Sequence, residues 1–322
     1  MRVELNSALA KKLHWVKVST PGARMEGNFP DFMIVGPQRT GTTWLSANLR
    51  YHPEIFLSYP KELYFFNRLQ QEGCGYSLHW EKFGWHVVSR GARALMRELV
   101  KIWFMDVYKT GRLRADELEW YLRFFEDDDF VTATIKRLEG EHTGGGSGEP
   151  RVRGEATASY AVLDPDIIRE IVTINPDLKV VLMVRDPVER AWSHAKKDLI
   201  RDGGRSLSSI PVQVIVDYLS DEYLVKCGFY TKAIANWRGF LKPEHLFIGS
   251  YSDIEARGAE LLTDIFGFLG VEQNDRYINP RSRTVINKTS DLEMPAECRA
   301  FLQEIYAEEM ARLRSVESVG SV

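Results

Sequence analysis

The sequence predicts an α/β fold: a central parallel sheet flanked by helices, with a helical insertion. Short β-rich runs alternate along the chain with long segments of helical periodicity, the pattern of parallel strands joined by crossover helices. One run, KVVLMV at 179–184, is apolar with almost no interruption, as a central strand buried on both faces requires. Near the start, the apolar residues Phe32 to Val35 run straight into a glycine turn and then a helical pattern. Strands are expected at 32–35, 55–57, 151–155, 179–184 and 245–249, the third carrying the weakest signal.

The first strand and its turn read DFMIVGPQRTGTTWL over 31–45. Gly36 opens the turn, and helical character begins after Gly41. A strand, a tight glycine turn and a helix N-terminus together aim backbone N–H groups and the positive end of the helix dipole at one point, which suits a bound phosphate. The spacing is P-loop-like, close to G-x-x-x-x-G-K-[ST]. Gly36, Gly41 and Thr43 fit. Thr42 stands where the lysine belongs, and the loop's cation is Arg39, two residues before Gly41. In nucleotide hydrolases that lysine reaches the outer phosphates. Moving the cation into the loop implies a different anion geometry.

The insertion spans approximately 88–150 of a single domain, 1–322. Segment 91–138 has the periodicity of two or three charged helices. The following EGEHTGGGSGEP is a glycine-rich link. The acidic run 126–129 reads as a solvated face or a helix cap.

The strand at 179–184 ends in RDPVERAWSHAKK. Pro187 suits a first helical turn, and Asp186 before it can cap. Arg185 sits at the strand's C-terminal end, and Ser193 lies about two turns down the helix. Ligands of open α/β sheets bind beyond the strand C-termini, so Arg185 shares a rim with Arg39. Two strand ends that each supply an arginine and a hydroxyl suit a ligand with two separated phosphates. Asp186 after an apolar strand also matches the magnesium-holding aspartate of nucleotide hydrolases; Arg185 and Pro187 weigh against that role.

Composition narrows the alternatives. With 322 residues and a net charge of −3, bulk charge excludes a general nucleic-acid binder. Cys74, Cys227 and Cys298 are too few and too scattered for a disulfide framework or a metal site, so reduced thiols are expected. No signal-peptide pattern and no membrane-length apolar run is found, giving the expectation of a soluble cytoplasmic protein without a membrane partner.

These motifs carry a resemblance. GPQRTGTTWL resembles the 5′-phosphosulfate loop of sulfotransferases that use 3′-phosphoadenosine 5′-phosphosulfate (PAPS). VRDPVERAWSHA resembles their 3′-phosphate-binding strand and helix. HPEIFLSYPKELYFFN, GEATASY and CGFYTKAIANWRGFLKPEHLFIGSYSDI are similar to further family segments, so the likeness covers most of 31–313 outside the insertion. It is nearer to the heparan-type and bacterial enzymes than to the cytosolic phenol and steroid enzymes, whose catalytic histidine stretch is not found.

The resemblance implies transfer of a sulfuryl group from PAPS, without a metal, to a hydroxyl or amine of a small-molecule or carbohydrate acceptor. The product would be 3′-phosphoadenosine 5′-phosphate (PAP). Gln38, Arg39, Thr40, Gly41, Thr42, Thr43 and Trp44 would hold the 5′ end, and Arg185 and Ser193 the 3′-phosphate. Asn287 and Lys288 fall where the family often has a loop closing over the nucleotide; a solvated basic loop is the equal alternative. Glu62 would be the general base, with Lys61 at the sulfuryl oxygens and Arg39 stabilising charge. The family usually has lysine at Arg39; arginine keeps the charge but presents a planar fork and does not deprotonate. His79, Trp80, Trp85 and His86, in YSLHWEKFGWH, suit either an acceptor pocket or packing. His194 reads as a helix-face residue. Two other functions remain open: a P-loop kinase or nucleotide hydrolase, which would want lysine at Thr42, and a non-catalytic nucleotide-binding module.

Overall fold

The computed structural model describes residues 29–58, 61–69, 121–125, 150–201, 210–280, 282 and 292–317. Five strands form one parallel sheet: β1 (Phe32–Ile34), β2 (Ile55–Leu57), β3 (Val152–Ala156), β4 (Lys179–Val184) and β5 (Leu246–Ser250), in the order β2-β3-β1-β4-β5. All five lie within a residue or so of the expected runs. β3 carries the weakest sequence signal because VRGEA has two charges and a glycine. The glycine has a packing cause, since a Cβ at Gly154 would overlap the Phe32 ring of the neighbouring strand.

Alternate side chains build two cores. Met33, Val35, Phe56, Val180, Leu182 and Val184 face one layer. There α2 (Pro165–Ile174) contributes Ile167, Ile168 and Ile171, and α6 (Tyr230–Arg238) contributes Tyr230, Ile234 and Trp237. Phe32, Ile34, Ile55, Leu57, Val181 and Met183 face the other layer, formed by α1 (Thr42–Leu49) and α7 (Tyr251–Leu269). The β4 run is therefore apolar because both of its faces are covered. A third cluster joins α3 (Pro187–Arg201) to α4 (Val212–Leu219) and α8 (Ala296–Ile305), with Tyr306 closing the cluster just before α9 (Ala307–Glu317). The short α5 (Glu222–Lys226) lies between α4 and α6.

Because every strand is parallel, every strand's C-terminal end opens on one rim. Next to β1, chain direction divides: β1 leads towards β2 at one edge, while β4 leads to β5 at the other. That switch point places a ligand crevice between the ends of β1 and β4. Among the described residues no helix is long and apolar enough to cross a membrane. Of the insertion, only 121–125 and Pro150 are described; the expected helices of 91–138, the acidic run and the glycine link otherwise lie outside the described residues.

Candidate active site

The loop after β1 is shaped by its two glycines. A Cβ at Gly36 would stand 2.8 Å from the Met183 backbone nitrogen of β4, so the chain passes too close there for any side chain. Gly41 has φ +95, in the left-handed region, and a Cβ there would overlap Ile254. Between them the buried Thr40 donates its hydroxyl to the Pro37 carbonyl at 2.7 Å and closes the turn. Gly41 is the N-cap of α1 and supplies no side-chain cap, and the first turn holds no acidic residue. The helix therefore presents its positive end uncompensated, whereas Asp221 and Ser250 cap α5 and α7.

Arg39 has φ 76, an uncommon conformation for a residue with a side chain. Its Nε donates to Ser193 Oγ at 2.9 Å, and Arg185 Nη1 donates to the Arg39 carbonyl at 3.1 Å. The Arg185 guanidinium lies over the Tyr251 ring, 4.2 Å from its centroid, at the end of β5. The two expected anion sites are thus one continuous unit, and the Arg39 side chain reaches to the Ser193 side of it. Burial first, and the Arg185 cation second, hold the Arg39 pKa below its ordinary value. Two neighbouring guanidinium groups on one crevice suit a strongly anionic ligand.

The other cation at the helix N-terminus is Lys61, from the segment after β2. Its Nζ lies 3.4 Å from Thr42 Oγ1 and pairs with Glu62 Oε1. Glu62 has φ 67. Three bonds to the end of β3 hold it: its N–H donates to the Ala156 carbonyl (2.9 Å), the Ala158 N–H donates to its Oε2 (2.9 Å), and the Leu63 N–H donates to Thr157 Oγ1 (3.0 Å). Along the rim, then, the carboxylate stands over β2 and β3 and the arginines over β1 and β4.

Several expected residues also make contacts within the scaffold. The Gln38 amide pairs with the Tyr223 hydroxyl at 2.8 Å, anchoring the loop to α5. Trp44 Nε1 donates to the Ser282 carbonyl at 2.6 Å. Asp186 Oδ1 accepts from the Glu189 N–H at 2.9 Å, so it caps α3 as expected. His194 is buried in the helix packing, its Nε2 3.5 Å from Asp198, and burial lowers its pKa. His79, Trp80, Trp85, His86, Asn287 and Lys288 lie outside the described residues. Among the described residues no cluster of three or more His, Cys, Asp or Glu is placed to hold a metal. Sequence reasoning missed Tyr251 as the platform for Arg185; its only signal was its position at a strand end.

Comparisons with known proteins identify the family and the fold. The family model described as "Sulfotransferase family" matches residues 30–275, which include all five strands and both arginine-bearing turns. The chain is 24% identical over 164 residues to the membrane-associated sulfotransferase kil1 of Dictyostelium discoideum, covering 51% of this chain and 22% of that protein. It is 22% identical over 262 residues to the bifunctional heparan sulfate N-deacetylase/N-sulfotransferase 3 of Mus musculus, covering 77% and 23%. The matches thus take in less than a quarter of the length of these curated relatives. A crystal structure of a sulfotransferase from Alicyclobacillus acidocaldarius superposes with a TM-score of 0.52 at 20% identity, covering 89% of this chain and 95% of that one, a likeness of fold.

Proposed function

Because the chain belongs to the sulfotransferase family, we propose that it moves a sulfuryl group from PAPS to a hydroxyl or amine of a small-molecule or carbohydrate acceptor by in-line displacement. The observation that carries the choice of donor is the Arg39–Ser193–Arg185 unit beside the uncapped start of α1. Its two cations suit a doubly phosphorylated nucleotide. Names of relatives that include heparan sulfate N-sulfotransferases favour a carbohydrate acceptor.

PAPS supplies an activated sulfuryl group, whose sulfur bonds to the acceptor atom as its bond to the 5′-phosphate oxygen breaks and leaves the electron pair there. The loop N–H groups from Thr40 to Thr43 and the Lys61 ammonium would stabilise charge at that phosphate. Arg185, Ser193 and Arg39 would hold the 3′-phosphate, arginine offering a two-pronged donor. Glu62 would take the acceptor's proton. Lys61 supplies the point cation that the loop's arginine does not.

The test offers PAPS with a panel of acceptors, including a desulfated heparan oligosaccharide and 4-nitrophenol, and identifies product by mass. One acceptor gaining a sulfuryl group, with release of PAP, is the expected result. No product, together with no binding of PAP, would overturn the reading.

A further inference from the structure

We propose that Glu155, which takes no part in the transfer itself, is a positioning residue for Glu62: it is the hub through which β3 sets the register of the segment after β2 and docks Tyr121 on it. The proposal rests on Glu62 being the base.

Glu155 is fully buried near the end of β3. An ionisable group is expensive there unless its oxygens are hydrogen-bonded. Both are. The Tyr121 hydroxyl donates to Oε1, and the Thr157 hydroxyl donates to Oε2 at 2.9 Å. A threonine hydroxyl has one proton. Once that proton is committed to Glu155, an Oγ1 lone pair is left for the Leu63 N–H, which donates to it at 3.0 Å. Leu63 directly follows Glu62, whose left-handed backbone persists only where its surroundings over-determine it. Two of the bonds that do so run to backbone groups at the end of β3 and in the turn just after it, Ala156 and Ala158. The third passes through the Thr157 rotor that Glu155 sets.

The second oxygen acts on the same segment from above. Tyr121 stacks on Phe65 (centroids 4.4 Å apart, planes at 18°) and meets Phe66 edge-on at 5.4 Å. Tyr121 belongs to the insertion, so Glu155 joins three parts of the chain at one carboxyl. An apolar strand residue would fill the same space and make neither bond. An aspartate would hold its oxygens one methylene short of both hydroxyls.

The titratable groups that face Glu155 are Tyr121 from the insertion, Tyr160 from the turn after β3, and Glu62 across the rim. Burial pushes its pKa up to about 7, and Glu62 adds to the rise while the hydroxyls of Tyr121, Thr157 and Tyr160 oppose it. Below that value the hub is neutral. Above it, a second anion faces Glu62.

Three variants in the full chain test this: Glu155→Leu, Glu155→Gln and Glu62→Gln. PAP affinity is measured by calorimetry. Turnover is measured as PAP release from PAPS, with the panel acceptor that gives product or with water where none does. Glu155→Leu is expected to cut kcat by roughly 30-fold or more while PAP affinity stays within about twofold, since a displaced base loses rate rather than donor binding. Glu155→Gln imitates the neutral acid. It is expected to restore kcat at about pH 6 and to lack the fall expected of the native enzyme as pH rises through about 7. A Glu155→Leu enzyme with kcat within about threefold of native overturns the proposal, as does a Glu155→Gln enzyme that keeps the native pH step. If Glu155→Leu does not fold, the Glu155→Gln profile decides. Undiminished turnover in Glu62→Gln instead removes the base, and the positioning role with it.

Discussion

Arg39 and Arg185 are brought together by the Arg39 carbonyl, which accepts from Arg185, and by Ser193, which accepts from Arg39. Neighbouring cations repel, and a bound phosphate relieves that repulsion. Arg185→Ala should therefore weaken PAP binding by about 2 kcal/mol or more, roughly 30-fold, because a charge-assisted contact and a clamp on the Arg39 turn are lost together. Calorimetry checks it, and unchanged affinity would remove Arg185 from the site. Glu62→Gln keeps an oxygen for the Ala158 N–H but loses the proton acceptor. Its kcat should fall by roughly 10²–10⁴-fold with PAP affinity retained. Gly41→Ala faces both a left-handed φ and the Ile254 side chain; unfolding by denaturant should show a loss of order 1–3 kcal/mol. At this scale, motif spacing pointed to Arg39, Arg185 and Ser193, because chemistry at strand ends leaves a local signature, while Glu62 was named only by the family resemblance. The direction of the Arg39 side chain and the Tyr251 platform were not legible, since both depend on which strands become neighbours.

At the scale of elements, the strands were readable from their β-rich runs, and the weak run at β3 turned out to be the one with a buried carboxyl group in it. Glu155 makes that strand pH-sensitive. Its carboxyl pKa is raised in the folded chain, from an ordinary 4.5 to about 7. The stability that its neutral form contributes is therefore fully present below about 4.5 and is lost as pH rises to about 7, levelling off above. The full loss corresponds to about 3 kcal/mol. Urea unfolding at about pH 5 and pH 8 should show native stability falling relative to Glu155→Gln by that order. Equal pH dependence in the two proteins would place the ionisation elsewhere. No composition or periodicity argument exposes such a group, because the sequence of β3 does not say that its glutamate points into the core.

For the whole molecule, the parallel arrangement follows from the alternation of strands and helices, and the rim follows from the parallel arrangement. The strand order that creates the switch point between β1 and β4 does not follow from periodicity; it is a property of how the layers pack. That order decides which strand ends meet and so turns five separate motifs into one crevice, with Glu62 over β2–β3 and the arginines over β1–β4. The most direct measurement is a calorimetric titration of PAP into the full chain with a metal chelator present, run beside magnesium–ATP. One-to-one binding of PAP, weakened roughly 30-fold or more in Arg185→Ala and kept in Glu62→Gln, is the expected result. Binding of magnesium–ATP with no response to PAP would contradict it.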